Sequence, residues 1–221
     1  MGTAGSAVLF DIDGTLVDST YHHAVAWHRA FARHGRPPPM WRLHRAIGMG
    51  GDKLVTQVAG EETERRLGDD LRAEWRTAYL ELRTEVHPLP GAAELVGAVR
   101  RAGHRVALAS SGDPQFAREA IAMLEIGEEV ELLTTAEDVD ASKPEPDLIG
   151  ETMRRLGGVT RAVLVGDTVY DVESAARAGI PCVGLLCGGY GRAELDAAGA
   201  VAVAETPEDL VEADWASYLP S

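Results

Sequence analysis

The feature that most limits the fold is an alternation. From Pro88 onward, short runs rich in Val, Leu, Ile and Thr take turns with stretches of helical periodicity. "PGAAELVGAVRRAG" reads as a helix between Pro90 and Gly103, and "RVALASSG" as a short strand run. A helix follows near 114–125, then "VELLTT", a helix near 146–156, "RAVLVGD", and the helix "DVESAARAG". The strand "PCVGLL", a short helix, "AVAVA" and a last helix complete the pattern. Repeated strand–helix units of this kind predict an α/β fold with a mostly parallel sheet and helices on both faces.

One more strand precedes this region. In "AVLFDIDGTLVDST", residues 7–20, an apolar run stops at two aspartates. Between it and Pro88 the chain has helical periodicity and no strand-like run. "STYHHAVAWHRAFARHG" reads as one amphipathic helix, with Ser19 or Thr20 as N-cap and Gly35 as its stop. "RPPPM" breaks the chain, and "EETERRLGDDLRAEWRTAYLELRTEV" reads as a long helix or a helix pair. The expected organisation is a core of residues 1–18 and 87–221 with a helical insertion, 19–86, after the first strand. An insertion there sits over the crevice where open α/β sheets bind ligands, so it is expected to act as a lid.

Charge narrows the partners. The chain has 221 residues with a net charge of −14, which argues against nucleic-acid or anionic-membrane partners and leaves room for a small anionic substrate beside a local cation. Only two of its basic residues are lysines, Lys53 and Lys143. Cys182 and Cys187 have no zinc-like spacing and read as buried, reduced thiols, which points to the cytoplasm. There is no 18-residue apolar run and no basic leader region. "MGTAGS" matches the short myristoylation pattern at Gly2 but reads as a polar overhang. The expectation is a soluble cytoplasmic protein, monomer or weak homodimer.

Polar groups collect at the strand ends. Strand one ends in Asp11-Ile12-Asp13, whose carboxylates share a face of an extended segment and repel. "RVALAS" ends in Ser110, followed by Ser111 and Gly112; the loop after "VELLTT" carries Lys143-Pro144; "AVLVGD" ends in Asp167, with Asp171 in the helix beyond. In a parallel sheet these reach one edge. Phosphoryl transfer needs such a set. Clustered carboxylates bind Mg²⁺, a hard ion that relieves their repulsion. A carboxylate can attack phosphorus, a second carboxyl can move a proton, and a hydroxyl with backbone amides can hold phosphoryl oxygens. A lysine offsets the charge that spreads over the transferring group.

"DIDGTLVDS", "LASSG", "SKPEPD" and "VGDTVYD" resemble the four motifs of the haloacid dehalogenase superfamily, in their usual order. "CGGYGRAEL" and the segment after it are similar to that superfamily too, and the helical insertion resembles its phosphoglycolate phosphatase and β-phosphoglucomutase subgroup. The resemblance implies a Rossmann-like core with a helical cap. It implies a Mg²⁺-dependent phosphatase that hydrolyses a small phosphorylated metabolite through an aspartyl phosphate. Asp11 then matches the nucleophile, and Asp13 the general acid/base whose backbone carbonyl is a metal ligand. Ser110 matches the phosphoryl-binding hydroxyl, with Ser111 beside it as a candidate substrate contact. Lys143 matches the lysine that pairs with nucleophile and phosphate. Asp11, Asp13, Asp167 and Asp171 form the implied metal set.

In the insertion, His23 matches a histidine of the β-phosphoglucomutases, followed as there by a tryptophan, Trp27. "IGMGGDKL", 47–54, resembles their substrate-facing loop, but Gly51 stands where those mutases carry arginine. Lys53 is close by and is a candidate substrate contact; Arg72 and Arg76 are comparable candidates. A hexose-phosphate mutase is the alternative function. Phosphonatases and dehalogenases stand behind it because such relatives usually lack the second aspartate, here Asp13. A receiver domain shares the acids, hydroxyl and lysine but has no lid and places its phosphoacceptor on a middle strand.

Overall fold

The computed structural model describes residues 5–35 and 37–220; Gly2 lies outside them. The chain forms two compact units. One joins the residues up to Asp18 with Pro88 onward, and the other is Ser19–His87.

The first unit is an α/β sandwich around a six-stranded sheet in the order β3-β2-β1-β4-β5-β6. The strands are β1 (Ser6–Phe10), β2 (Arg105–Ala109), β3 (Leu132–Thr134), β4 (Arg161–Gly166), β5 (Cys182–Leu185) and β6 (Ala202–Ala204). Every pairing is parallel, and Leu9 of β1 sits between Ala107 and Leu164. Covered on both faces, β1 is fully buried, which explains its unbroken apolar run. Ala7, Leu9, Ala162 and Leu164 pack with Ile149, Val172, Ala175 and Leu195 of the crossover helices. On the opposite face Phe10 meets the Trp215 ring edge-on at 6.4 Å. The chain builds β1, β2 and β3 outward to one side, then crosses β1 to place β4 on the other. Strand order therefore reverses between β1 and β4, the position where open α/β sheets bind ligands.

The helices of this unit, numbered with those of the whole chain, are α5 (Ala92–Arg101), α6 (Pro114–Leu124), α7 (Asp147–Leu156), α8 (Val169–Arg177) and α9 (Arg192–Ala198). The expected last helix is absent. Two 3-10 turns, Pro207–Leu210 and Trp215–Ser217, replace it. Asp209 turns back onto the Thr206 amide at 3.0 Å, which closes the first turn after a single revolution. Buried Leu210 and Trp215 stand five residues apart, a spacing that one helical face does not bring together.

The second unit is helical: α1 (Thr20–Arg33), α2 (Met40–His44), α3 (Gly51–Ala59) and α4 (Glu61–Leu82). Ala24, Trp27, Ala30 and Phe31 recur at helical spacing on α1 and pack with Leu43, Leu54, Val55 and Leu71. Ser19 is the α1 N-cap by position, though its side chain does not cap the helix, and the helix stops before Gly35, at φ +92°. The segment expected as a long helix or a pair is one helix of 22 residues. "IGMGGDKL" is less loop-like than its glycines suggest, because α3 begins at Gly51 and places Lys53 in its first turn. No helix among the described residues is long and apolar enough to cross a membrane.

Candidate active site

Three adjacent parallel strands end together, and their next residues carry the chemistry. Asp11 continues β1: its amide donates to Val165 O at 2.9 Å. The chain then turns sharply, with Leu16 N bonded to Ile12 O at 2.8 Å and Gly14 N to Val17 O at 2.9 Å. Ser110 extends β2 through a bond from its amide to Thr134 O, 3.0 Å. Asp167 directly follows β4, and Asp171 lies in the first turn of α8.

Carboxylate oxygens of Asp11, Asp167 and Asp171 lie within 4.8 Å of one another, and all three residues are buried. The Lys143 ammonium, 1% exposed, joins them: it donates to Asp11 Oδ1 and lies 2.7 Å from Asp171 Oδ1. Two threonines orient the acids. Thr15 Oγ1 donates to Asp167 Oδ1 at 3.0 Å. Thr168 holds Asp171 Oδ2 with its hydroxyl at 2.6 Å and its amide at 3.0 Å, a capping box that leaves Oδ1 for the lysine. Asp171 is thus both a helix-terminal charge and a member of the cluster.

Backbone crowds close in behind. A Cβ on Gly188 would lie 1.7 Å from Asp167 Oδ2, and one on Gly166 would lie 2.5 Å from Asp171 Cβ. Only glycine fits at either position. Cys187 donates its thiol to Gly14 O at 3.0 Å, tying the turn after β5 to the turn after β1.

The Asp13 carboxylate is not one of the gathered three, but it is near enough to push the Asp11 carboxyl up. A Cβ on Gly112 would be 3.3 Å from Asp13 Oδ2 and 3.1 Å from Ser110 Oγ, so these two groups border one small space. Gly112 N donates to Ser110 Oγ at 3.0 Å, and the Ser111 hydroxyl is buried without a partner among the described residues.

Electrostatics explain why such a cluster can take a cation. Burial pushes the Asp11 carboxyl up to about 7; Lys143 pulls it down, while Asp171 and Asp13 push it up. Burial also raises Asp167 well above the usual carboxylate range, with Asp171 and Asp11 adding to it. Burial alone would lower the Lys143 pKa, but Asp11 and Asp171 outweigh it and hold the ammonium charged. With all three carboxylates ionised against one ammonium, the formal charge would be −2. Asp167 Oδ2 is buried with no hydrogen-bond donor among the described residues. An all-oxygen donor set, an orphaned carboxylate oxygen and that excess charge fit a divalent hard cation such as Mg²⁺.

The other sequence candidates lie in the helical unit. His23 is buried in an aromatic stack, 4.1 Å from Tyr79 and 5.6 Å from Trp75 between ring centroids. Lys53 is half-buried on α3. Arg72 is engaged by Glu64 and Asp69 at 2.8 and 2.7 Å, and Arg76 is half-buried on α4. A Cβ on Gly51 would lie 3.2 Å from the Trp27 ring and 3.3 Å from Arg72 Cγ, so packing, not only sequence, leaves little room for a side chain there. Thr15, Thr168 and Gly188 were not among the sequence candidates. Thr168-x-x-Asp171 has capping-box spacing and was readable; the other two act across long sequence separations.

An all-parallel α/β unit with acids and a lysine gathered where the strand order reverses is a site suited to phosphoryl chemistry. The comparisons name the family. The chain belongs to the haloacid dehalogenase-like hydrolases, whose sequence pattern matches residues 8–185. It is 30% identical over 195 residues to a phosphoglycolate phosphatase of Pseudomonas putida, covering 85% of this chain and 71% of that one. It is also 30% identical to the validoxylamine A 7'-phosphate phosphatase of Streptomyces hygroscopicus subsp. limoneus, covering 96% and 98% of the two chains. The crystal structure of a hydrolase from Pseudomonas syringae superposes with a TM-score of 0.87 at 33% identity, covering 93% and 96%. The protein is a phosphatase of this family, a hydrolase of phosphate esters.

Proposed function

We propose that the protein is a Mg²⁺-dependent phosphatase that hydrolyses a small phosphorylated metabolite through an aspartyl phosphate on Asp11. The observation that carries this reading is the buried cluster in which one ammonium faces three carboxylates and one carboxylate oxygen has no donor. Asp11, Asp167 and Asp171 would hold the metal through carboxylate oxygens, with the Asp13 backbone carbonyl as a further ligand. When bound, Mg²⁺ supplies positive charge to the phosphoryl oxygens and to the attacking carboxylate.

The chain's own groups carry the reaction. A carboxylate oxygen of Asp11 attacks phosphorus, and the bond from phosphorus to the ester oxygen breaks. Asp13 gives that oxygen its proton. Ser110 Oγ and nearby backbone amides bind the phosphoryl oxygens, and Lys143 offsets their charge. Asp13 then takes a proton from water, which attacks the acyl phosphate and releases inorganic phosphate.

The substrate reading follows the named relatives, which act on phosphoglycolate and on validoxylamine A 7'-phosphate. Both are small metabolites. The helical unit is assigned as the cap that selects the leaving group, with its His23 and Lys53, and Ser111 of the α/β unit, as candidate substrate contacts. Its support is connectivity: the chain enters that unit directly after the turn that carries Asp13, and returns at Pro88, which is bridged to Val17.

The test is a panel of phosphoglycolate, sugar phosphates and nucleoside monophosphates, assayed with Mg²⁺ and with EDTA. Release of phosphate is expected with Mg²⁺ alone. Asp11→Asn is expected to lower kcat by about 10³-fold or more while leaving the circular dichroism spectrum unchanged. Full activity in EDTA, or in Asp11→Asn, would discard the proposal. An arm with added sugar bisphosphate separates hydrolysis from mutase chemistry.

A further inference from the structure

The Lys143 ammonium reaches the acid cluster from a segment without regular structure, between the 3-10 turn at Ala136–Asp138 and α7. A lysine side chain has many rotamers, and burying it in one pose requires that its backbone be fixed. Beside a local bond from Glu145 N to Ser142 O at 3.0 Å, contacts from one helix, α8, hold it. Ser174 Oγ donates to Glu145 O at 2.8 Å, and Arg177 Nη1 donates to Pro144 O at 3.0 Å. These carbonyls belong to the two residues that follow Lys143. The Arg177 guanidinium also lies 3.3 Å from the Glu145 carboxylate. Asp171, which receives the ammonium, stands on the same helix, three residues before Ser174 and six before Arg177. Successive turns of α8 thus present Asp171, Ser174 and Arg177 along one side.

We propose that Ser174 and Arg177 are positioning residues. They clip the Pro144–Glu145 backbone to α8 so that the lysine head and its acceptor Asp171 are set by one rigid element. Neither touches the acid cluster; both act through Lys143. Ser174 is fully buried, so its loss leaves the Glu145 carbonyl without this donor. Arg177 is 45% exposed at the side chain, so its loss opens no cavity in the core. The inference rests on the proposed function only for the catalytic meaning of Lys143; the placement of that lysine can be read without any turnover.

The chain's composition makes that reading clean. Lys53 and Lys143 are its only lysines, so amine acylation followed by peptide mass spectrometry has two sites to compare. Lys143 is buried and should label slowly, with half-buried Lys53 as the internal standard. Ser174→Ala and Arg177→Ala are expected to raise Lys143 labelling relative to Lys53 by about tenfold and to lower kcat by about 10- to 100-fold, with KM changing by less than about threefold. Arg177→Lys, which can still donate to Pro144 O, should recover most of both. If Ser174→Ala fails to fold, Arg177→Ala carries the test, since an exposed arginine is replaceable. Lys143 remaining as protected as in the parent protein overturns the proposal. So does labelling that rises while kcat holds. An active Asp11→Asn variant would instead remove the proposed mechanism and leave the labelling result standing.

Discussion

The two units handle charge in opposite ways. The α/β unit buries Asp11, Lys143, Asp167 and Asp171 together. The helical unit, among its described residues, buries no Asp, Glu, Lys or Arg, and its buried polar groups are Ser19, Thr20 and His23. Its charges pair along the surface, as in Arg29 with Glu81, Arg33 with Glu74, and Arg72 with Glu64 and Asp69. Surface pairs of this kind contribute roughly 0–1 kcal/mol each. A buried like-charged cluster costs stability unless something charged completes it. The comparison separates a unit shaped by chemistry from one shaped by packing.

The largest expected difference comes from removing one member of the buried set. Asp167→Asn is expected to lower kcat/KM by about 10³-fold and to abolish any rise in melting temperature on adding Mg²⁺. Without metal, the same variant should melt no lower than the parent, because one repelling carboxylate is gone. Replacing exposed Arg65 and Arg66 of α4, each paired with Glu62, should change activity by less than about twofold. Thermal shift with and without Mg²⁺, beside steady-state kinetics, checks both. Equal effects from the two variants would end the contrast.

The reverse experiment loads the helical unit. Trp27 is buried, with its ring 5.5 Å from Trp75 and 6.3 Å from Phe31. Trp27→Ala should cost about 3–5 kcal/mol in urea unfolding followed by circular dichroism. The Mg²⁺ concentration that gives half-maximal thermal protection should stay where it is in the parent. A shifted metal midpoint would show that the aromatic core supports the acid cluster after all.

How much of this was legible follows from the range of each interaction. Periodicity located the strands and motif spacing located Asp11, Asp13, Ser110, Lys143, Asp167 and Asp171; the parallel sheet brings their backbones to one edge without further information. The finer arrangement depends on contacts that no local pattern encodes. Thr15 and Asp167 are 152 residues apart, and nothing near Gly188 in the sequence announces that a carboxylate will press on it. Where the Asp13 carboxylate stands depends on the bonds that fold the chain back at Ile12, not on the alternation of an extended strand. The tail read as a helix because its composition allows one; Pro207 and the Thr206–Asp209 cap stop it after one turn. In the helical unit the apolar stripe was readable, but Lys53 was placed in a loop because its segment resembles the mutases' substrate-facing loop, whereas α3 starts at Gly51.

Gly188 sharpens the contrast within the α/β unit itself, since it bears no charge. Gly188→Ala forces either Asp167 or the Leu186–Gly188 turn to move, because its Cβ would stand 1.7 Å from Asp167 Oδ2. A shift of that kind in a group packed against a ligand should weaken Mg²⁺ binding by about 10- to 100-fold, measured by calorimetry. Stability without metal should change much less than in Trp27→Ala, as the turn lies at a strand end. Unchanged affinity would mean that the acids tolerate displacement, and that their geometry matters less than their charge.

The smallest effect belongs at the sheet edge away from this chemistry. His104 is buried just before β2, with Nδ1 2.8 Å from Ser6 Oγ. Burial holds its pKa below the usual value, and Arg161 adds to the shift. Folding therefore favours the neutral ring. Its contribution to stability is complete above the unfolded pKa of about 6.5 and is lost as pH falls through the lower folded value. The parent should lose stability between about pH 6.5 and 5 by more than His104→Gln does, a difference read from urea midpoints of the two proteins at each pH. The aspartate cluster titrates in both proteins, so it cancels in that difference. Identical slopes would show that this histidine accepts a proton in place, and that the α/β unit tolerates a buried charge where no acid answers it.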